Sequence, residues 1–260
     1  MTRFRFLLAA GATLLAGGTA QAATLIGLTA DNHLVRIDTE TRRAAAPVMV
    51  RGAEGTLIGI DIRPADGKLY GVTDRDQIVT IDLASGQATQ VSKLSQPFAS
   101  GGRAVVDFNP MADRLRLMGM NGTSYRINVE TGAVTVDGTL KYQAGTPLAE
   151  TTPRIVAGAY TNSVAGTAST QLFTIDSLLR QLNLQAPPND GVQQVKGEIA
   201  ATLPAGVAFD ILADGQGGNT AYALAGGTLH TISLELGTAT PRGALAGLPS
   251  AEVIDIAAMR

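Results

Sequence analysis

From residue 23 onward, short apolar stretches alternate with polar residues in the two-residue period of half-buried β-strands. One phrase comes back five times: residues 25–38 (LIGLTADNHLVRID), 69–82 (LYGVTDRDQIVTID), 115–128 (LRLMGMNGTSYRIN), 172–183 (LFTIDSLLRQLN) and 221–233 (AYALAGGTLHTIS). Each reads as two short strands around a tight turn. Aligned, the second strand places Ile37, Ile81, Ile127, Leu182 and Ile232 at one position, with Asp38, Asp82, Asn128, Asn183 and Ser233 directly after it. Short polar residues of that kind favour turns by bonding nearby backbone. In three units Gly86, Gly132 or Gly237 follows four residues later, where a hairpin needs a residue tolerant of positive φ, and an alternating segment such as 88–94 or 133–140 comes next. A further strand precedes the phrase at 58–62 (IGIDI), 105–108 (VVDF), 156–160 (VAGAY) and 207–211 (VAFDI). The unit is therefore four strands.

The first unit starts at its second strand, whereas residues 252–260 (EVIDIAAMR) read as a first strand with nothing after it. The two fragments complete each other, so the units are predicted to close into a ring, which also removes the strand edges an open solenoid would have to cap. Asp61, Asp107, Ala159, Asp210 and Asp255 share one register, with spacings of 46, 52, 51 and 45 residues, and at that period residues 23–260 hold five units. The predicted fold is all-β: a five-bladed β-propeller of four-stranded blades, closed by the C-terminal strand joining the N-terminal blade.

Residues 1–22 differ in kind. Arg3 and Arg5, an apolar run from Phe6, and small residues ending in Ala20-Gln21-Ala22 form the pattern of a signal peptide cleaved before Ala23. The apolar run is too short to cross a bilayer, which takes about 20 residues. The expected organisation is a signal peptide over 1–22 and a single β-propeller domain over 23–260, periplasmic or secreted. With no Cys the chain has neither disulfides nor the attachment point of a lipoprotein. Cleavage would leave 18 basic against 22 acidic residues with no Lys/Arg cluster, which argues against nucleic acid or an anionic membrane as partner. A monomer that recognises a small ligand or an envelope protein is the expectation.

Three phrases carry a family resemblance: residues 60–73 (IDIRPADGKLYGVT), 106–118 (VDFNPMADRLRLM) and 127–132 (INVETG). Together they resemble the bacterial exported family catalogued as domain of unknown function 4394, over essentially the whole mature chain. The resemblance implies a propeller-like, secreted protein. It brings no established activity, substrate or catalytic residue.

Candidate chemistry is sparse. There is no G-x-S-x-G elbow, no phosphate-cradling G-x-x-x-x-G-K-[ST] loop and no thiol. His33 and His230 are the only histidines, in units the ring makes neighbours, and two without a third ligand make a weak zinc site. Residues 64–67 and 213–219 look like calcium loops but lack the full ligand pattern, so they are read as turns.

The recurrent Asp of the innermost strand stands out. In residues 58–63, Asp61 falls on the face opposite Ile60 and Ile62, near where the strands converge on the axis. One reading of Asp61, Asp107, Asp210 and Asp255 is a carboxylate ring holding a cation such as calcium. The simpler one is that each accepts hydrogen bonds from backbone N–H groups of the adjacent blade and locks the blades together. No cofactor is expected on that second reading.

Propellers commonly bind at the end of the ring where outer-to-inner connections meet the turns between middle strands. The long connections at 95–103 and 141–154 and the charged turn at 73–76 therefore nominate Asp74, Arg75, Phe98, Arg103, Tyr142 and Arg154 as a binding patch. The favoured reading is a non-enzymatic binding propeller. The alternative is a metal-dependent propeller hydrolase or lactonase using the axial carboxylates.

Overall fold

Alternation with period two gives every strand one face for each neighbouring blade, and that pattern organises the molecule. The computed structural model describes residues 23–199 and 206–260, so the expected signal peptide lies outside the described residues. Five antiparallel sheets stand round an axis as blades. Their inner strands are Val253–Met259 in blade one, Leu57–Ile62 in blade two, Ala104–Asn109 in blade three, Ile155–Tyr160 in blade four and Val207–Ala213 in blade five. Each inner strand touches the next, and the fifth touches the first, which closes the ring.

The closing contact is the one the chain ends predict. Val253–Met259 pairs antiparallel with Thr24–Thr29, in a register that sets Met259 opposite Thr24 and Asp255 opposite Leu28. Blade one continues through His33–Asp38 to an outer edge broken into Arg43–Ala44 and Val48–Met49. Blade two is regular, with Leu69–Thr73, Gln77–Ile81 and Ala88–Lys93 outside its inner strand. In blade four a short extra strand, Lys141–Tyr142, runs parallel to the outer strand Val192–Glu198. Gly86, Gly132 and Gly237 all adopt positive φ, between 72° and 73°, as the hairpin reading requires.

Apolar side chains between blades form the core. Val79 and Ile81 of blade two pack with Ile26, Leu28 and Ala257 of blade one. Tyr125 and Ile127 of blade three pack with Tyr70, Val72 and Ile78 of blade two. Val35 and Ile37 of blade one meet Ala208, Leu224 and Leu229 of blade five. Each fully buried side chain of this size contributes about 1.5–3 kcal/mol against a net ~1 kcal/mol for a hydrogen bond, so these seams carry most of the stability.

The structure corrects two alignments made from the sequence. Asp61, Asp107 and Asp210 pair with the second residue of the repeated phrase, Tyr70, Arg116 and Tyr222, but Asp255 pairs with the fourth, Leu28, so it lies two residues out of their register and Ala257 holds the equivalent place in blade one. The other correction is in blade four. Leu172 pairs with Gln185, as Leu69 pairs with Ile81 and Leu115 with Ile127, so Gln185 and not Leu182 occupies the repeating apolar position. Asn183 is likewise no turn residue but lies mid-strand opposite Thr174, where the sister blades have Val35, Val79 and Tyr125. The hairpin from Leu172 to Gln185 is one residue longer than that from Leu69 to Ile81, and polar residues have replaced the apolar marks by which the period is followed. In the other units the polar residue does its predicted work: Asp38 Oδ1 accepts from the N–H groups of Glu40 and Thr41, and Asp82 Oδ1 from those of Ala84 and Ser85.

Candidate functional site

Two places concentrate polar chemistry near the axis. The first is the carboxylate ring. Asp255 Oδ2 of blade one accepts from Ile60 N–H of blade two at 2.9 Å, and Asp61 Oδ2 of blade two from Phe108 N–H of blade three at 2.7 Å. Asp107 Oδ1 of blade three accepts from Tyr160 N–H of blade four at 2.9 Å, and Asp210 Oδ2 of blade five from Ala258 N–H of blade one at 2.5 Å. Each blade that has the Asp grips the following blade in chain sense. Ala159 leaves the fourth-to-fifth seam without this bond, and that seam has the largest apolar cluster instead. In Asp61, Asp210 and Asp255 the other oxygen accepts from the N–H of the next residue in the chain.

All four carboxylates are buried, and burial is the first cause that pushes each above the usual carboxylate range, Asp210 to about 6. Charge on neighbours adds to the rise at Asp61, from Asp210, and at Asp107, from Asp61 and Asp210. Asp61, Asp107 and Asp210 each place one carboxylate oxygen within 4.8 Å of the others, so these three are the residues that could hold a hard cation.

The second place is the end of the ring carrying the outer-to-inner connections. Here the six nominated residues separate into three locations. Asp74 and Arg75 are exposed on their turn, where Asp74 Oδ1 accepts from Thr56 N–H, and Phe98 is tied to the same turn by its N–H to Asp76 Oδ1 at 2.8 Å. Phe98 packs edge-on against Tyr125 with ring centres 5.7 Å apart. Arg103 reaches from blade three to blade one, which are not neighbours in the ring: its Nη1 donates to Ile254 O at 2.7 Å and its Nη2 pairs with Glu252. Tyr142 is buried, only 3% exposed, and donates to Asp176 Oδ2 at 2.7 Å. Arg154 is exposed, with its backbone N–H on the same Asp176 oxygen at 2.9 Å. Its inward hydroxyl sets Tyr142 apart from any exposed patch.

On this same end a cavity of about 480 Å³ opens between the Gly226–Gly227 turn of blade five and residues 245–253, with Leu224, Leu248, Glu252 and Val253 in its walls. A second cavity, of about 620 Å³, lies at the opposite end between blades four and five and is lined by Asn162, Gln171, Phe173, Lys196, Asn219 and Glu235. The histidines are locally engaged: His33 Nδ1 lies 3.2 Å from Asp31 Oδ1 and His230 Nδ1 lies 3.1 Å from Thr228 O.

Sequence reasoning passed over the buried ion pairs at the seams. Arg116, 1% exposed, holds Asp137 and also donates to Ser124, Tyr160 and Asn189. Arg63 links blade two to Asp113 and Glu130 of blade three. The available signal was the arginine inside an otherwise apolar strand, RLRLMG at Arg114–Gly119.

Comparison with known proteins bears on the whole ring. Residues 33–257 match the family described as Domain of unknown function (DUF4394). The chain belongs to that family. No curated protein matches it. Among solved structures, a DUF4394 chain of this shape is similar to a protein of unknown function from Bacteroides thetaiotaomicron VPI-5482, with a TM-score of 0.53 and 16% identity over 92% of this chain and 65% of that one. A protein of unknown function from Bacteroides caccae aligns at a TM-score of 0.44 and 11% identity over 84% of this chain and 71% of its own. At 16% identity the likeness to the Bacteroides thetaiotaomicron protein concerns the fold alone. Among the described residues of this DUF4394 protein, no helix is long and apolar enough to cross a membrane.

Proposed function

We propose that the mature chain is an exported, non-enzymatic binding module that takes a small ligand or an envelope protein at the end of the ring bearing the outer-to-inner connections. The observation that supports this reading is the 480 Å³ cavity at that end, of a size common for small-molecule sites, with apolar walls from Leu224, Leu248 and Val253 and one carboxylate from Glu252. The Arg103–Glu252 pair beside it fixes the carboxylate. Thermal-shift screening of a panel of small metabolites and short peptides against residues 23–260 tests the reading. At least one compound should raise the melting temperature of the wild type and lose that effect in Leu248→Trp, which fills the cavity. Compounds that act equally on both variants would place binding elsewhere.

The metal-dependent hydrolase is the second reading, favoured by the three oxygens within 4.8 Å at Asp61, Asp107 and Asp210. Against it stands the hydrogen bond that each of these carboxylates accepts from a neighbouring blade. Calcium titration followed by both melting temperature and ester or lactone turnover separates the two. A calcium-dependent rise with turnover would put the hydrolase first.

A further inference from the structure

The seam between blades three and four is filled differently from the others. At the two positions where blades one to three point Val35 and Ile37, Val79 and Ile81, and Tyr125 and Ile127 into the preceding blade, blade four has Asn183 and Gln185. Its apolar cluster shrinks to six buried residues, against fourteen at the next seam. Polar side chains that bond one another take the space. Thr174 Oγ1 donates to Gln193 Oε1 at 2.6 Å, and Gln193 Nε2 donates to Gln185 Oε1 at 2.8 Å. Gln181 Nε2 donates to the Tyr142 hydroxyl at 2.8 Å.

The charges in this seam are answered. Asp176 accepts from the Tyr142 hydroxyl and from the N–H groups of Arg154, Leu178 and Leu179. Arg116 is paired with Asp137. Asn183 is the exception: it is fully buried, its amide stands close enough to the Tyr142 hydroxyl to hold that group's pKa down against the rise that burial imposes, and yet neither its side-chain nitrogen nor its oxygen meets a partner at good hydrogen-bond geometry. Buried amides are almost always hydrogen-bonded, to protein or to an ordered water, because leaving one unpaired forfeits its hydration without return. An amide that offers donors and an acceptor together, among hydroxyls and other amides and with no free charge nearby, complements a neutral molecule that also does both.

We infer that the seam between blades three and four is an internal binding site for a small uncharged hydrogen-bonding molecule, held on the Asn183 amide, with water its smallest occupant. The internal comparison supports a built site: blades one to three fill the equivalent positions with apolar or aromatic side chains, blade five fills them with Ile232 and with His230, whose Nδ1 meets Thr228 O, and only blade four adds the strand Lys141–Tyr142 that brings the tyrosine hydroxyl to it. The connection after that strand is anchored at both ends on Asp176, through the Tyr142 hydroxyl and the Arg154 N–H, so the site is covered by a segment tied to its own wall.

The test is the electron density of residues 23–260 crystallised without added ligand. A rounded peak within about 2.6–3.2 Å of the Asn183 amide identifies water, and extended density matched by native mass spectrometry of dissolved crystals identifies a retained solute; either upholds the site. A dry seam, with Asn183 bonded directly to Tyr142 or Gln193, overturns it. Asn183→Leu gives an independent readout, because an apolar side chain of similar volume expels the occupant. Its melting temperature should fall by about 2 °C or more, whereas an unchanged or raised value would mean the amide had no partner to lose. If Asn183→Leu does not fold, the wild-type density alone decides.

Discussion

Asp107 shows how a carboxylate survives on a buried axis. Its Oδ1 accepts from Tyr160 N–H, yet burial and the charges of Asp61 and Asp210 all disfavour its ionised form. The sign of the resulting pH dependence follows. An axial Asp has a folded pKa above its unfolded value of about 3.9, so the native state holds more protons, and the stabilisation present below that value is lost as pH rises through the folded pKa, about 6 at Asp210. The melting temperature is therefore expected to fall between about pH 4 and pH 7 through this ring. Asp107→Asn keeps an oxygen for Tyr160 N–H but removes one charge, and should flatten the profile and raise the melting temperature at pH 7.5; an unchanged profile would show that the ring does not titrate in this range. Arg116 makes the opposite case, a buried charge that is fully partnered. Arg116→Ala leaves Asp137 buried with only Arg126 to answer it, and chemical denaturation should report a loss of about 3 kcal/mol.

Among the elements, the turns between the outer two strands tie one blade to the next. Gly132 sits at φ +72°, where an added Cβ would lie 1.8 Å from Lys93 O of blade two, and its own carbonyl accepts from Ser95 N–H at 2.9 Å. Gly132→Ala combines backbone strain with a clash against main chain, and should destabilise by more than about 1 kcal/mol, whereas the same change at Gly67, with nothing nearby, should cost only the backbone strain. The strands themselves were largely legible in the sequence, because Ile37, Ile81 and Ile127 mark one position in successive hairpins. Blade four was not, since Asn183 and Gln185 erase that mark and one extra residue shifts the count. The candidate patch was legible only in part: turn and connection residues can be placed on one end of the ring, but nothing in the sequence around Tyr142 shows that its hydroxyl turns inward to Asp176.

At the scale of the whole molecule, the blade count and the closure could be read because they depend on spacing and on which strand is left over, not on side-chain detail. The carboxylate ring could be located but not its wiring, since the partners Ile60, Phe108, Tyr160 and Ala258 belong to other blades and sit at unequal offsets from the repeated Asp. Removing Val253–Met259 takes the inner strand from blade one and, with Asp255, the acceptor of the Ile60 N–H of the second blade. Circular dichroism on a chain ending at Glu252 should show loss of cooperative unfolding, and a synthetic peptide of residues 253–260 added in trans should restore it; a truncated chain that melts like the wild type would mean the ring does not need that strand.

Because Thr24 lies opposite Met259, the ring has no privileged starting point. Where the backbone is interrupted is a matter of covalent bookkeeping, and the fold is set by a cyclic order of blades. A chain with Ala23 joined to Arg260 by a short linker and reopened at the exposed Gly145, where an added Cβ would meet only open space, should assemble the same five blades, with the join that is now non-covalent moved to a place of the experimenter's choosing.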